Sequence, residues 1–190
     1  MHKYLLVLTF LVTLIGSGCS AVLQATQGST NTGVGSFGSS ERLDGALEGK
    51  LYYIAEGSDN LPNFATLSPV GSVWATKFDI APRDYTEGFP GVTHRTEWFA
   101  LRYTGTWSVP SEGTWKFRLG ADDGARWLID GKVVADNDGV HAFATVDTEV
   151  SLTAGDHQVE LQFFQGPATM LGLQLWATPP GGREEIWSIR

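Results

Sequence analysis

The sequence is poor in several things, and each shortage excludes something. It holds a single cysteine, Cys19, among 190 residues. One thiol forms no intramolecular disulfide and builds no paired-cysteine zinc or redox site. Positive charge is also short: 13 Lys and Arg stand against 21 Asp and Glu, a formal net charge of −8. Nucleic acid is therefore an unsuitable partner, because phosphate binding needs clustered Lys and Arg. No apolar run reaches the ~20 residues that span a bilayer as a helix. No stretch keeps a helical apolar period over ~11 residues. Signatures of activity are missing too: no Gly-x-Ser-x-Gly nucleophile elbow, no P-loop, and no GxGxxG opening a βαβ unit. No catalytic set stands out, so the chain is not expected to be an enzyme. What remains is ordinary globular composition, 42% hydrophobic and 18% charged, which argues against global disorder. The 7 Trp, 5 Tyr and 10 Phe can fill a core without disulfides, and 23 Gly point to many turns.

Residues 1–18 read as a targeting segment. Lys3 gives a small positive start, and Tyr4 to Ile15 is an unbroken run of apolar residues and threonines. Gly16-Ser17-Gly18-Cys19 follows, and the only cysteine at that point resembles a bacterial lipoprotein lipobox. Ser17 and Gly18 match the pattern; Gly16 stands where Leu is usual. Cys19 is the expected lipidation site, which would tether the exported protein to a bacterial outer membrane or cell surface. The competing reading is a plain signal peptide cut after Cys19-Ser20-Ala21, giving a periplasmic or secreted protein. Residues 19–42, rich in Ser, Thr, Gly and Gln, have too little apolar side chain to bury and are expected to form a flexible tether.

From residue 43 to 178 the pattern is that of short strands. Trp115, Phe117 and Leu119 alternate with Thr114, Lys116 and Arg118. Val159, Leu161 and Phe163 alternate with Gln158, Glu160 and Gln162, and Leu171, Leu173 and Leu175 with Gly172 and Gln174. Asp130-Gly131, between Trp127-Leu128-Ile129 and Val133-Val134, is the strongest hairpin signal and suits a tight turn with positive φ at both residues. Turn signals recur every ~8–12 residues, which predicts an all-β, antiparallel β-sandwich or barrel. Residues 179–190 read as a C-terminal extension.

Gly113-Thr114-Trp115-Lys116-Phe117-Arg118-Leu119, followed by Asp122-Asp123-Gly124-Ala125-Arg126-Trp127-Leu128-Ile129-Asp130-Gly131, resembles the centre of the PA14 domain. The resemblance continues through Asp136-Asn137, His141, Leu152-Thr153-Ala154-Gly155-Asp156-His157 and Leu173-Gln174-Leu175-Trp176. Thr86-Glu87-Gly88-Phe89-Pro90-Gly91 and Arg95-Thr96-Glu97-Trp98-Phe99-Ala100 look like the version in bacterial envelope proteins. The family occurs in yeast adhesins, glycosidases and bacterial surface proteins. The resemblance implies an antiparallel β-sandwich or barrel, in agreement with the strand pattern.

Adjacent carboxylates repel, and solvent, donors or a cation must relieve them. In sugar-binding members of the family the Asp-Asp pair carries a cis peptide and holds a Ca²⁺ that binds sugar hydroxyls. The resemblance therefore implies Asp122 and Asp123 as metal and ligand-binding residues, with Ca²⁺ as the cofactor. Hard cations of this kind take several oxygen ligands. The alternative is that Asp122-Asp123-Gly124 only caps a turn. The adhesins add an Asn from a later loop. Here that segment, Gln165-Gly166-Pro167-Ala168-Thr169-Met170, has no Asn and no carboxylate, and Gln165 or backbone carbonyls are left to substitute. Asp136-Asn137-Asp138-Gly139 resembles a fragment of a calcium loop, but position twelve is Asp147 rather than Glu, so a turn is expected. His94, His141 and His157 show no paired metal-ligand spacing. Trp107 and Trp187 fit the strand pattern least well and are candidates for stacking on sugar. Two functions stay open: a surface-tethered, non-catalytic module binding glycan through Ca²⁺, or a structural and protein-interaction domain of an envelope assembly with no metal or sugar ligand.

Overall fold

The computed structural model describes residues 37–92 and 94–189. The signal segment, Cys19 and the tether as far as residue 36 lie outside the described residues. In chain order the strands are β1 (Phe37–Ser39), β2 (Leu47–Tyr53), β3 (Gly71–Ala75), β4 (Asp79–Asp84), β5 (Phe99–Val109) and β6 (Gly113–Asp122). They continue with β7 (Ala125–Ile129), β8 (Lys132–Asn137), β9 (Ala144–Leu152), β10 (Gly155–Gln165), β11 (Met170–Thr178) and β12 (Glu185–Ile186). A seven-stranded sheet runs β1-β3-β2-β5-β10-β7-β8 and a five-stranded sheet β12-β11-β6-β9, with β4 also on β11. The expected all-β antiparallel sandwich is what forms.

Alternation sets which side chains meet. In β6, Trp115, Phe117 and Leu119 face inward. Lys116 and Arg118 face outward, opposite Glu149 and Asp147 of β9, and pair with them at 3.0 and 2.8 Å. In β10, Val159, Leu161 and Phe163 face inward, while Glu160 accepts two 2.7 Å hydrogen bonds from Arg102 of β5. The inner faces of both sheets close one apolar core around Tyr103, Trp127, Leu161 and Phe163 on one side and Phe117, Leu119, Leu173 and Leu175 on the other. Gly49 lets the Tyr103 ring lie across β2: a Cβ there would be 2.4 Å from the ring. A second, smaller cluster of Tyr52, Ile54, Phe64, Ala100 and Phe164 includes strand residues that alternate with those of the main core. The segment between β2 and β3 supplies Phe64, Leu61 and Leu67 to it.

Two expected boundaries move. The tether does not run to residue 42, because β1 pairs with β3, Phe37 opposite Ala75 and Ser39 opposite Trp74. Backbone pairing holds this segment, and pairing leaves no trace in a Ser/Gly-rich composition. Nor is 179–190 an appendage. Trp176 and Ala177 of β11 pair with Ile186 and Glu185, the Trp187 N–H donates to Leu175 O at 2.7 Å, and Ile189 N–H donates to Thr76 O at 2.9 Å. Trp187 packs against Phe78 with ring centroids 5.8 Å apart and against Trp127 at 5.1 Å. Trp107 and Trp187 are only 5% and 2% exposed, so neither offers a face to sugar. Both belong to the core that the sheets enclose.

The Asp130-Gly131 turn has φ of 49° and 73° at its two residues, as the hairpin signal predicts. Asp130 Oδ1 accepts from Gln158 N–H at 2.9 Å, and Oδ2 lies 2.7 Å from His157 Nδ1. The other ring nitrogen of His157 is 3.0 Å from Thr153 O. The hydrogen bond to Asp130 is the main cause that holds the His157 pKa above its ordinary value.

Removing Trp187 should cost about 3–5 kcal/mol, the usual range for deleting a large buried aromatic. Urea unfolding of Trp187→Ala checks this, and a loss below about 1 kcal/mol would mean that residues beyond 178 are dispensable. A group whose folded pKa is raised stabilises fully below its unfolded pKa, near 6.5 for His, and loses that stabilisation as pH rises through the folded value. The melting-temperature gap between wild type and His157→Gln should therefore be wider at pH 6 than at pH 9. An equal gap at both values would show that the charged pair contributes nothing.

Candidate functional site

Strands β6 and β7 belong to different sheets, and Asp122-Asp123-Gly124 is where the chain crosses between them. Two more crossings reach the same end. Residues 138–143 pass from β8 to β9, and residues 166–169 pass from β10 to β11. Register brings the three together: Asn137 is opposite Ala125, Gly172 opposite Asp122, and Gln165 opposite Phe99.

Asp123 clasps the crossings. Its Oδ2 accepts from Gly166 N–H at 2.7 Å and its Oδ1 from His141 N–H at 3.3 Å. Gly124 O accepts from Phe164 N–H at 2.9 Å. Asp122 accepts from the Phe143 backbone N–H. The Asp122–Asp123 peptide is cis. Both side chains belong to buried residues, 6% and 3% exposed. Burial, then the neighbouring Asp123 charge, pushes the Asp122 pKa up to about 6; the Phe143 N–H and His141 pull it the other way. Burial also raises Asp123, against the N–H bonds from Gly166 and His141. Neither carboxylate has Lys or Arg among the charges acting on it.

Gln165 is fully buried beside this corner in sequence and register. Its Nε2 donates to Met170 O at 3.1 Å, while its Oε1 has no hydrogen-bond partner. Two carboxylates and an uncommitted buried amide oxygen are donors a hard cation accepts. The residues present fit Ca²⁺ on that count. Among the described residues, no group of three or more His, Cys, Asp or Glu side chains is placed to hold a metal. Remaining ligands would have to be neutral oxygens.

The other sequence candidates separate. Asp136 and Asp138 both pair with Arg126, at 3.1 and 3.3 Å, and Asn137 donates to Ala144 O at 3.0 Å. Asp138 Oδ1 also accepts from Leu61 N–H at 2.7 Å. These residues hold a crossing rather than form a calcium loop. His141 lies at the Asp-pair end, where its ring nitrogens contact Ala142 O and Asn137 O. His157 bonds the Asp130 turn at the opposite end of β7, so the three histidines share no centre.

Two residues at the Asp-pair end, both within the Arg95-to-Ala100 stretch of the resemblance, carried no expected site role. Glu97 Oε1 accepts from Ala168 N–H at 2.7 Å, a second acid holding the 166–169 crossing. Trp98 has φ of 56°, a left-handed conformation that costs a bulky residue on the order of 1–3 kcal/mol. Its carbonyl accepts from Ile54 N–H and from Arg95 Nη1, both at 3.0 Å. Arg95 in turn lies 4.2 Å over the Tyr53 ring. No periodicity rule flags such residues, because their roles come from loop contacts.

A two-sheet antiparallel sandwich with an acidic pair at a sheet-to-sheet crossing defines a β-sandwich module with its candidate site on loops at one end. The chain belongs to the PA14 domain family, whose profile matches residues 75–187. No curated protein matches the sequence. Among solved structures, the fold is similar to a PA14 sugar-binding domain from an RTX adhesin, with TM-score 0.62 and 23% identity over 76% of this chain and 95% of that one. It is similar to the epithelial adhesin 9 A domain from Candida glabrata, in complex with Galβ1-4GlcNAc, with TM-score 0.52 and 17% identity over 75% and 84%. An anti-sigma factor domain-containing protein matches with TM-score 0.60 and 20% identity over 75% of this chain. This chain spans 46% of that protein, about half its length.

Gly124 allows the corner to close. A Cβ there would lie 2.4 Å from the Phe164 ring, 2.8 Å from Gly139 N and 2.9 Å from Asp138 Oδ1. Gly124→Ala should therefore destabilise by about 1–3 kcal/mol, the usual cost of overpacking, read by chemical denaturation. Unchanged stability would mean that the crossings are not held together as described.

Proposed function

We propose that this domain is a non-catalytic binding module in which Asp122 and Asp123 hold Ca²⁺, with Gln165 beside them, and the ion recruits sugar hydroxyls. The observation that carries the reading is a buried carboxylate pair, raised in pKa, with no Lys or Arg to offset it. A divalent cation would relieve both repulsion and desolvation, and when bound it supplies open coordination positions for hydroxyl oxygens. The adhesin domains of similar fold, one described as sugar-binding and one solved with a disaccharide, agree with this reading. The targeting segment supports export, with Cys19 as lipid anchor. Fatty-acid labelling that is absent, or that survives Cys19→Ala, would end that part.

The second reading is a structural or protein-interaction domain of an envelope assembly. One observation favours it: both oxygens of Asp123 already accept backbone N–H bonds, as a purely architectural carboxylate would.

Calcium decides between them. A ligand that binds only the native state at 100 times its Kd stabilises by about 2.7 kcal/mol, a rise of roughly 5–10 °C in melting temperature for a domain this size. Millimolar Ca²⁺ should produce such a rise in wild type and none in Asp123→Ala. No rise in wild type would leave the architectural reading standing.

A further inference from the structure

A cavity of about 360 Å³ opens at the end of the sandwich away from Asp122 and Asp123. It lies between the β5–β6 turn and the chain that follows β11. Its volume is within the ~300–1,000 Å³ typical of ligand pockets. Trp107, Trp115, Ala177 and Trp187 form its buried part, and Ser108, Pro110 and Glu185 are its exposed residues. Close packing fixes the walls. A Cβ on Gly113 would be 2.7 Å from the Pro180 ring, and Gly182 N–H donates to Pro179 O at 2.9 Å. A site already shaped in this way lowers the cost of binding.

The lining selects a chemistry. Indole and proline rings with Ile186 and Ile189 suit a compact apolar body. They offer few hydrogen-bonding groups, so a ring bearing many hydroxyls would lose its water there without return. Glu185 is the one charged side chain among the described lining residues. A second acid, Asp156, accepts from the Ser108 hydroxyl at the rim. An anion is therefore repelled and a cation attracted. A buried donor adds a third element. The Trp115 indole donates to Ser111 O at 3.0 Å, but Trp187 Nε1, in a residue 2% exposed, has no hydrogen-bond partner. Leaving such a group unpaired is costly, and an acceptor at the inner end of a ligand would relieve it.

We propose that this cavity binds a small organic amine. Its ammonium group sits at Glu185, its apolar body lies against the tryptophans, and an acceptor at its inner end meets Trp187 Nε1. The site shares no residue with the Asp pair, so it stands whether or not Ca²⁺ binds there.

Tyramine is the probe, because it joins an ammonium, an aromatic ring and a phenol oxygen. The full chain, isotope-labelled, is titrated with millimolar tyramine, and the indole N–H resonances of its 7 Trp are followed by NMR. The Trp187 resonance, assigned by through-bond spectra, should move saturably. Para-hydroxyphenylacetate, a similar ring with a carboxylate in place of the ammonium, should bind about fivefold more weakly, the scale of charge pairing at a protein surface. Phenethylamine, which lacks the phenol oxygen, should lose about threefold, the scale of one hydrogen bond. Glu185→Lys, a change at an exposed residue, should reverse the order of tyramine and para-hydroxyphenylacetate. A Trp187 resonance that does not move, phenethylamine or para-hydroxyphenylacetate binding as tightly as tyramine, or an order unchanged in Glu185→Lys would each overturn the proposal.

Discussion

Every passage of the chain from one sheet to the other has to leave an apolar seam. Buried backbone N–H and C=O groups need partners. Strands find theirs in the ladders, but crossings do not. At one end of this sandwich three crossings meet, and a single carboxylate answers two of them: Asp123 accepts from His141 and from Gly166. Glu97 and Asp138 do the same for Ala168 and Leu61. Acids here stand where a hydrogen-bond ladder would stand elsewhere. The acidic composition is in part a consequence of how the loops are held.

The same arrangement leaves a deficit at Asp122. Taking a carboxylate out of water costs several kcal/mol, and a hydrogen bond to a charged group contributes ~1.5–3 kcal/mol. Two N–H bonds oppose that cost at Asp123, and burial still outweighs them. Asp122 has one, from Phe143, and faces the charge of Asp123 besides. Burial raises both carboxyls, and that of Asp122 is pushed up to about 6. Asp123 supplies most of the clasp, and both carboxylates stay penalised by burial.

How much of this could be read from sequence depends on the range of the interaction. Alternation at Trp115, Phe117 and Leu119 and the Asp130-Gly131 turn are local patterns, and they marked strand, face and hairpin correctly. Strand β1 and strand β12 are held by distant partners, Trp74 with Ala75 and Trp176 with Ala177. Composition therefore made one a tether and the other an extension. Trp187 fitted no alternation because it enters the core from a short strand, and so it looked available for sugar. The Asp pair was legible through family resemblance and the repulsion of adjacent carboxylates. The unpartnered Oε1 of Gln165 and the left-handed Trp98 were not, since both are defined by what surrounds them.

The two ends of the sandwich differ in how their side chains are used. At the end where β5 leads into β6, Trp107 and Trp115 pack edge to face at 5.1 Å, and Trp107 meets Trp187 at 5.8 Å. At that end His157 pairs with Asp130 and Thr153, and Ser108 with Asp156, while the buried Trp187 Nε1 has no partner. At the other end, Gln165 keeps an unused acceptor, Asp122 keeps an unrelieved charge, and Trp98 keeps a strained backbone. Unspent hydrogen-bonding capacity, charge and strain are the quantities a ligand can relieve.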